Sequence, residues 1–433
     1  MYDILFEHAT VVCCDESMQV LEDTCVGVKD GKIAYLGKER ADAARKINAS
    51  GKVLMPGLIN THTHIPMTLM RGLSDDTDLQ DWLQNHIFPT EDRLDDGIVK
   101  AGVDLALLEM IANGTTSFSD SYFFMQTVAE SVHKSGLKAN LARSVTNFGQ
   151  EVKLLDFYST REEVELYDTW HKAEDGRILV DAAIHAEYTT SESLWRELRA
   201  FALEKNLVLQ VHLSETRREH EECIEKYGKT PARLFYDAGV FDVKTLAAHC
   251  VHVTDEDLAL FVEKGVSVAH NPMSNLKLAS GIARVPEMLK RGINVGLGTD
   301  GVASNNNVDL FEEIKLCACL HKGVSGDPCA MSAAQALRCA TYGGAKAQGR
   351  EHECGTIALG MDADLILVDF SAPHLIPCHN PISNLVYAAR GSDVCMTMVR
   401  GNILYENGVF LTLDAERILH DFKTNGTDRL FSS

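Results

Sequence analysis

Two histidines, His62 and His64, end the run Leu-Ile-Asn-Thr-His-Thr-His. Further metal-ligand types recur downstream at His212, His249 and Asp300, with Glu215 three positions after His212. On an extended strand a spacing of two puts both imidazoles on one face, which suits chelation. Neutral imidazoles with one carboxylate suit a divalent cation that keeps a position open for water, and that points to hydrolysis. Each residue also has a plainer explanation. An isolated His-x-His pair is commonly two structural histidines, Glu215 is a residue that a helix N-terminus favours, and Asp300-Gly301 is a common turn. His249 alone fits a satisfied core histidine, which is the expectation for His133, His252 and His270. The recurrence of ligand types at successive strand ends favours the metal reading.

Eight short apolar runs can position these residues: 57–64, 115–120, 138–145, 178–188, 207–215, 245–253, 266–271 and 293–300. Amphipathic segments lie between several of them, with starts such as Thr254 before Asp255-Glu256-Asp257 and stops such as Gly265 after Lys264. This alternation is the pattern of a parallel sheet, and eight such strands close a (β/α)₈ TIM-like barrel. The putting together of strands in this way sets all five candidate ligands on the rim at the strands' C-terminal ends, where such barrels carry their reactive side chains. The glycines of Val-Gly-Leu-Gly-Thr-Asp300 allow close backbone approach there. Both chain ends read as β-structure instead: 25–36 and 399–411 each hold two apolar runs around a turn pair, Asp30-Gly31 and Asn407-Gly408. The expected organisation is a barrel over 56–354 with a small β-sandwich built from both ends, residues 1–55 and 355–433.

The chain has 433 residues, 45% hydrophobic and 24% charged, the composition of an ordinary globular protein. A net charge of -21 opposes phosphate backbones and anionic lipid surfaces, so neither nucleic acid nor membrane is expected as a partner. Small-molecule work remains. The 12 cysteines form no Cys-x-x-Cys, which suits a reducing compartment. The N-terminus lacks a signal-peptide pattern, and no apolar run is long enough to span a bilayer, so the expected location is the cytoplasm.

Several motifs together resemble the amidohydrolase superfamily, and within it the 5'-methylthioadenosine/S-adenosylhomocysteine deaminase family. They are Pro56-Gly-Leu-Ile-Asn-Thr-His-Thr-His64, Leu69-Met-Arg-Gly-Leu73, Asp81-Trp-Leu83, Phe88-Pro-Thr-Glu91, His212-Leu-Ser-Glu215, His249-Cys250, His270-Asn-Pro-Met-Ser-Asn-Leu-Lys-Leu-Ala-Ser-Gly281 and Gly298-Thr-Asp-Gly301. Gly355-Thr-Ile-Ala-Leu-Gly-Met-Asp-Ala-Asp-Leu365 is similar to the family's return into its small β-sandwich. The resemblance implies one divalent ion per subunit, Zn²⁺ or else Fe²⁺ or Mn²⁺, held by His62, His64, His212 and Asp300. It makes Glu215 the proton shuttle from water to the purine ring nitrogen. His249 becomes the stabiliser of the reacting oxygen, and Asp300 a relay of the second proton to the leaving amine. Glu91 is implied as acceptor for the ribose hydroxyls, Trp82 as an aromatic wall, and His185 and Ser304 as further pocket residues.

By the same resemblance Arg143 reaches a substrate's distal carboxylate. No second arginine follows in 149–158, which offers Lys153 instead. The implied reaction is hydrolytic deamination of S-adenosylhomocysteine, 5'-methylthioadenosine, 5'-deoxyadenosine or adenosine, by a homo-oligomer. Related amidohydrolases that act on guanine, 8-oxoguanine, a pterin or a chlorotriazine share the scaffold, and a purine-nucleoside-binding protein without activity is the non-enzymatic alternative. His185-Ala-Glu187 matches half of another deaminase signature, but no Pro-Cys-x-x-Cys follows it.

Overall fold

A computed structural model describes residues 1–39, 41–151 and 153–431. Five of the expected barrel runs form unbroken strands close to their anticipated bounds: Leu58–His64, Thr115–Tyr122, Leu209–Leu213, Thr245–His249 and Ser267–His270. Lys138–Arg143 is a sixth. Their apolar side chains, among them Ile59, Phe118, Leu141, Val211, Ala247 and Val268, are buried, as a sheet enclosed on both faces requires.

The remaining two runs are broken strands, and the breaks close the barrel. Ile178–Val180 pairs with Lys138–Arg143, whereas Ala182–Ile184 pairs with Leu209–Leu213. Likewise Val295–Leu297 pairs with Ser267–His270, and Asp300–Gly301 pairs with Leu58–His64. Each break therefore hands the chain from one neighbour to the other, and eight parallel strands form a ring. Polar side chains fix both positions. Asp181 accepts from Asn140 Nδ2 at 2.9 Å and Gln210 Nε2 at 3.0 Å, and Thr299 N–H donates at 3.0 Å to Asn60 Oδ1 rather than to a strand backbone. Gly298 sits in the second break because a Cβ there would lie 2.3 Å from Asn271 Oδ1 and 2.9 Å from the backbone nitrogen of His62.

Helix ends follow the local signals. Thr254 and Asp257 form a reciprocal capping box at the start of Asp255–Lys264, and Gly265 takes a left-handed conformation, φ 67°, at its end.

Both termini contribute to one nine-stranded sheet, in which Lys52–Pro56 lies between Tyr2–Val12 and Leu365–Asp369. The two expected hairpins are present. Val20–Lys29 turns at Asp30-Gly31 into Lys32–Gly37, and Asn402–Glu406 turns at Asn407-Gly408 into Val409–Phe410. An unanticipated third hairpin turns at Arg400-Gly401, and its tip meets the first: a Cβ on Gly31 would lie 2.9 Å from Arg400 O. The sheet thus curls around its own apolar core, which includes Phe6, Val26, Ile33, Leu54, Leu367 and Met398. Lys138, at the start of a barrel strand and fully buried, ties the barrel to this layer. Its Nζ lies 2.7 Å from Asp362 and 2.6 Å from Asp364, and Asp362 also pairs with Arg400 at 3.0 Å. Ser432 and Ser433, in the C-terminal part anticipated as sandwich, lie outside the described residues. Among the described residues no helix is long and apolar enough to cross a membrane.

Candidate metal centre and active site

The barrel rim brings the five candidate ligand residues together. His62 and His64 end the first strand, His212 lies in Leu209–Leu213, His249 ends its strand and Asp300 opens the last short one. His64 Nε2 lies 3.3 Å from His212 Nε2. Asp300 Oδ1 lies 3.5 Å from His62 Nε2 and 3.4 Å from His64 Nε2. His249 and Asp300 adopt left-handed backbone, φ 70° and 62°, a conformation that costs a non-glycine residue about 1–3 kcal/mol and clusters at functional sites.

Outer contacts decide which atoms face inward. His64 Nδ1 donates to Ser121 O at 2.7 Å, and His212 Nδ1 donates to His185 O at 2.9 Å, so both Nε2 lone pairs point at the centre. His249 Nδ1 pairs with Asn275 Oδ1 at 2.8 Å and turns its Nε2 the same way. Asp300 Oδ2 accepts from Ser274 Oγ at 2.6 Å and Ser304 Oγ at 3.1 Å, leaving Oδ1 towards the imidazoles.

These groups fit a cation. His62 Nε2 is buried and has no hydrogen-bond partner among the described residues. Two inward lone pairs 3.3 Å apart repel unless something positive lies between or beside them. The ligand atoms of His62, His64 and Asp300 all fall within 4.8 Å of one another. Burial pushes His62 down to about 4, only partly offset by the nearby Asp300 carboxylate, and burial followed by the His62 field holds His212 well below the usual histidine range. Both rings are therefore uncharged, the form that coordinates metal.

Glu215 stands beside this cluster. Its Oε2 lies 3.8 Å from His249 Nε2, and Oε1 accepts from Ser280 Oγ at 3.4 Å. Burial pushes its carboxyl up to about 7, against the pull of His249 and helped by the charges of Asp300 and Glu219. The segment that carries it is held by Glu219, whose carboxylate accepts the backbone N–H groups of Ser214, Glu215 and Thr216 at 2.7, 2.8 and 3.3 Å.

Above the cluster lies a cavity of about 420 Å³ whose lining includes His64, His185, His212, Glu215, His249 and Asp300. Trp82, Glu91 and Ser304 also line it. Trp82 is buried, and its Nε1 has no partner among the described residues. Glu91 accepts the hydroxyl of Tyr122, and burial, opposed by that bond, raises its carboxyl to about 7. His185 Nδ1 pairs with Thr189 Oγ1 at 2.8 Å.

Arg143 departs from the expectation. It does not line the cavity; its Nε donates to Glu162 Oε2 at 2.7 Å, its guanidinium lies 4.7 Å from the centre of the Phe123 ring, and a further bond goes to Ser144 O. Lys153 is also absent from the lining. Of the histidines expected to be structural, His252 Nε2 bonds Ser280 O at 2.7 Å. His270 is buried, with neither ring nitrogen bonded to a described residue. His133 is no core residue: it is exposed and paired with Glu174 at 3.0 Å. Sequence reasoning gave no role to Tyr122, Ser274, Asn275 or Glu219. Only Ser274 and Asn275 carried a signal, through their place in the His270–Gly281 motif.

The amidohydrolase family profile matches residues 53–404, most of the chain. The chain belongs to the amidohydrolase family. It is 43% identical over 430 residues, 97% of this chain and 98% of the relative, to 5-methylthioadenosine/S-adenosylhomocysteine deaminase of Acetivibrio thermocellus. It is 44% identical over 427 residues, 98% of each chain, to 5'-deoxyadenosine deaminase of Methanosarcina acetivorans. Among solved structures, an adenosine deaminase of Xanthomonas campestris with bound zinc superposes with a TM-score of 0.95 at 34% identity, covering 100% of this chain and 99% of that one. The chain thus shares its scaffold with a structure that holds zinc, and its own barrel rim carries histidine and aspartate metal-site candidates.

Proposed function

We propose that this amidohydrolase removes the 6-amino group of an adenosine-type nucleoside by hydrolysis, giving the inosine analogue and ammonia. The convergence of His62, His64, His212, His249, Glu215 and Asp300 at one cavity, which all of them but His62 line, carries the reading. The deaminase names of relatives at 43–44% identity over nearly the whole chain support it.

One divalent ion, Zn²⁺ ahead of Fe²⁺ or Mn²⁺, would be held by His62 Nε2, His64 Nε2, His212 Nε2 and Asp300 Oδ1. When bound it supplies Lewis acidity that lets water ionise near neutral pH. The chain's own groups do the proton work. Glu215, with a carboxyl near neutrality, takes a proton from the attacking water and passes it to the purine ring nitrogen beside the amino-bearing carbon, which makes that carbon more electrophilic. His249 is held through Asn275 with Nε2 towards the reacting oxygen and stabilises the charge that develops there. Asp300, kept on its serine hydroxyls, relays the second proton to the departing amine.

Trp82 supplies a flat wall for the base or sugar. Glu91 is ready for a vicinal diol, since its two oxygens can accept two hydroxyl protons, while Tyr122 fixes its position. His185 and Ser304 complete the polar lining. A small-molecule substrate in the cytoplasm suits the acidic surface, and a homo-oligomer is the expected assembly. Ammonia release measured with adenosine, 5'-methylthioadenosine and guanine tests the reading. It predicts turnover of the nucleosides and not of the free base. Turnover of guanine alone would refute it.

A further inference from the structure

A second set of metal-ligand side chains lies away from the active-site cavity. Cys317 and His321 are four residues apart on helix Leu310–Ser325, which puts them on one face, and that face meets His270 at the end of strand Ser267–His270. The His270 and His321 rings lie 5.3 Å apart, centre to centre. One ligand atom from each of the three residues falls within 4.8 Å of the others. All three residues are buried, and none lines the cavity. Both ring nitrogens of His270, and Nε2 of His321, are buried without a hydrogen-bond partner among the described residues. Leaving a buried donor or acceptor unsatisfied costs about 1–3 kcal/mol, so the cluster calls for something that bonds to it.

We propose that His270, Cys317 and His321 form a second cation site, separate from the rim, that takes Zn²⁺ or a similarly thiophilic divalent ion through two imidazole nitrogens and one thiolate. Two nitrogens and a sulfur are a donor set that suits zinc, and three protein ligands leave a fourth position to water. Tetrahedral zinc holds such donors about 3.3–3.6 Å apart, so side-chain movements of about 1 Å close the set. Burial pushes His321 down to about 4, which leaves its ring uncharged and able to coordinate. The thiol behaves differently. Burial, and after it Cys339 and Glu313, raise Cys317 well above its usual range, so its proton passes to water only as the sulfur–metal bond forms. A groove of about 670 Å³ whose lining includes His321 gives ion and proton a path to solvent. One thiolate leaves the ion with a net positive charge, and the buried Glu313 carboxyl, one turn before Cys317, is placed to offset it. With three ligands and a proton to displace, this site fills after the four-ligand rim, so a single equivalent of metal goes to the rim.

The test titrates metal-free protein with Co²⁺ and follows thiolate-to-cobalt charge-transfer absorption. The rim ligands contain no sulfur, so the band reports this cluster and not the rim. It should grow as the second equivalent is added, saturate at one thiolate-bound ion per chain, and be displaced by Zn²⁺. Cys317→Ala and His321→Gln should both lose the band. In excess zinc, elemental analysis should find two ions per chain in the wild type and one in each variant, and excess zinc should raise the Tm of the wild type more than that of either variant. Absence of the band at ten equivalents would overturn the proposal and leave the cluster to bridging water. A band that persists in Cys317→Ala would also overturn it, because it would belong to an exposed thiol such as Cys319, Cys329 or Cys378. So would a band unchanged in His321→Gln.

Discussion

Glu219→Gln probes how Glu215, the carboxylate proposed to transfer the proton, is held. Glu219 is the third residue of helix Arg217–Tyr227 and closes a capping box with Thr216. One of its oxygens takes the Ser214 N–H at 2.7 Å, and the other takes those of Glu215 and Thr216 at 2.8 and 3.3 Å. Ser214 is in left-handed backbone, φ 47°, so this corner is held against a local preference. Glu187 is buried nearby, and burial followed by the charge of Glu219 pushes its carboxyl well up. Glutamine keeps the shape, retains one acceptor oxygen and turns an amide donor towards N–H groups. At least one of the three bonds is lost and the rest lose their charge assistance. With charged bonds worth about 1.5–3 kcal/mol and neutral ones about 0.5–1.5, the cost is about 2–4 kcal/mol. Part of it appears as misplacement of Glu215, for which a shift of about 1 Å costs up to about a hundredfold in rate. Steady-state ammonia release should therefore show kcat reduced about ten- to a hundredfold with KM little changed. Removing the Glu219 charge also takes away one of the influences that raise Glu215, so the acid limb of the pH profile should move to lower pH. A variant that loses stability in denaturant titration yet keeps wild-type kcat and pH profile would show that these bonds serve the fold alone.

Glu215→Gln should keep its metal by elemental analysis and lose about a hundred- to ten-thousandfold in kcat, as loss of a general acid–base does; a fully active variant would remove Glu215 from the chemistry. Dialysis against a chelator should abolish ammonia release, and Zn²⁺ should restore it; activity that survives complete metal removal would contradict a metal-dependent reaction. Asp362→Asn should destabilise the protein by about 3 kcal/mol in urea at pH 7, because it leaves the buried Lys138 short of a counter-charge. Burial opposes ionisation of Asp362, but Lys138, Lys32 and Arg400 outweigh it and hold the carboxyl below its usual range. Its stabilisation is thus present above the unfolded value of about 3.9 and is lost as pH falls through the lower folded value, so the gap between variant and wild type should narrow below about pH 4. A gap that widens on acidification would put the sign of this ion network in error.

Much of the barrel was legible because its strands are continuous apolar runs and its helices carry explicit caps such as Thr254 and Gly265. The rim position of His62, His64, His212, His249 and Asp300 followed from where those runs end. The breaks at Asp181 and Thr299 were hidden. Their cause is hydrogen bonding to Asn140, Gln210 and Asn60, partners that local periodicity does not reveal. The direction of a long side chain was hidden for the same reason. Arg143 is answered by Glu162, on the helix that follows its strand, and only the fold shows that the pair forms. Tyr122 and Glu219 escaped notice because each acts on a neighbour, Glu91 or Glu215, and neither is of a type that draws attention by itself.

The central claim is a cation held by three imidazole nitrogens and one aspartate oxygen, and X-ray absorption at the edge of the bound metal measures that environment directly. The account predicts one ion per chain in a shell of nitrogen and oxygen only, with about three nitrogens at about 2.0–2.1 Å when zinc is bound. A shell containing sulfur, or a shell unchanged when His62, His64, His212 or Asp300 is replaced, would contradict it.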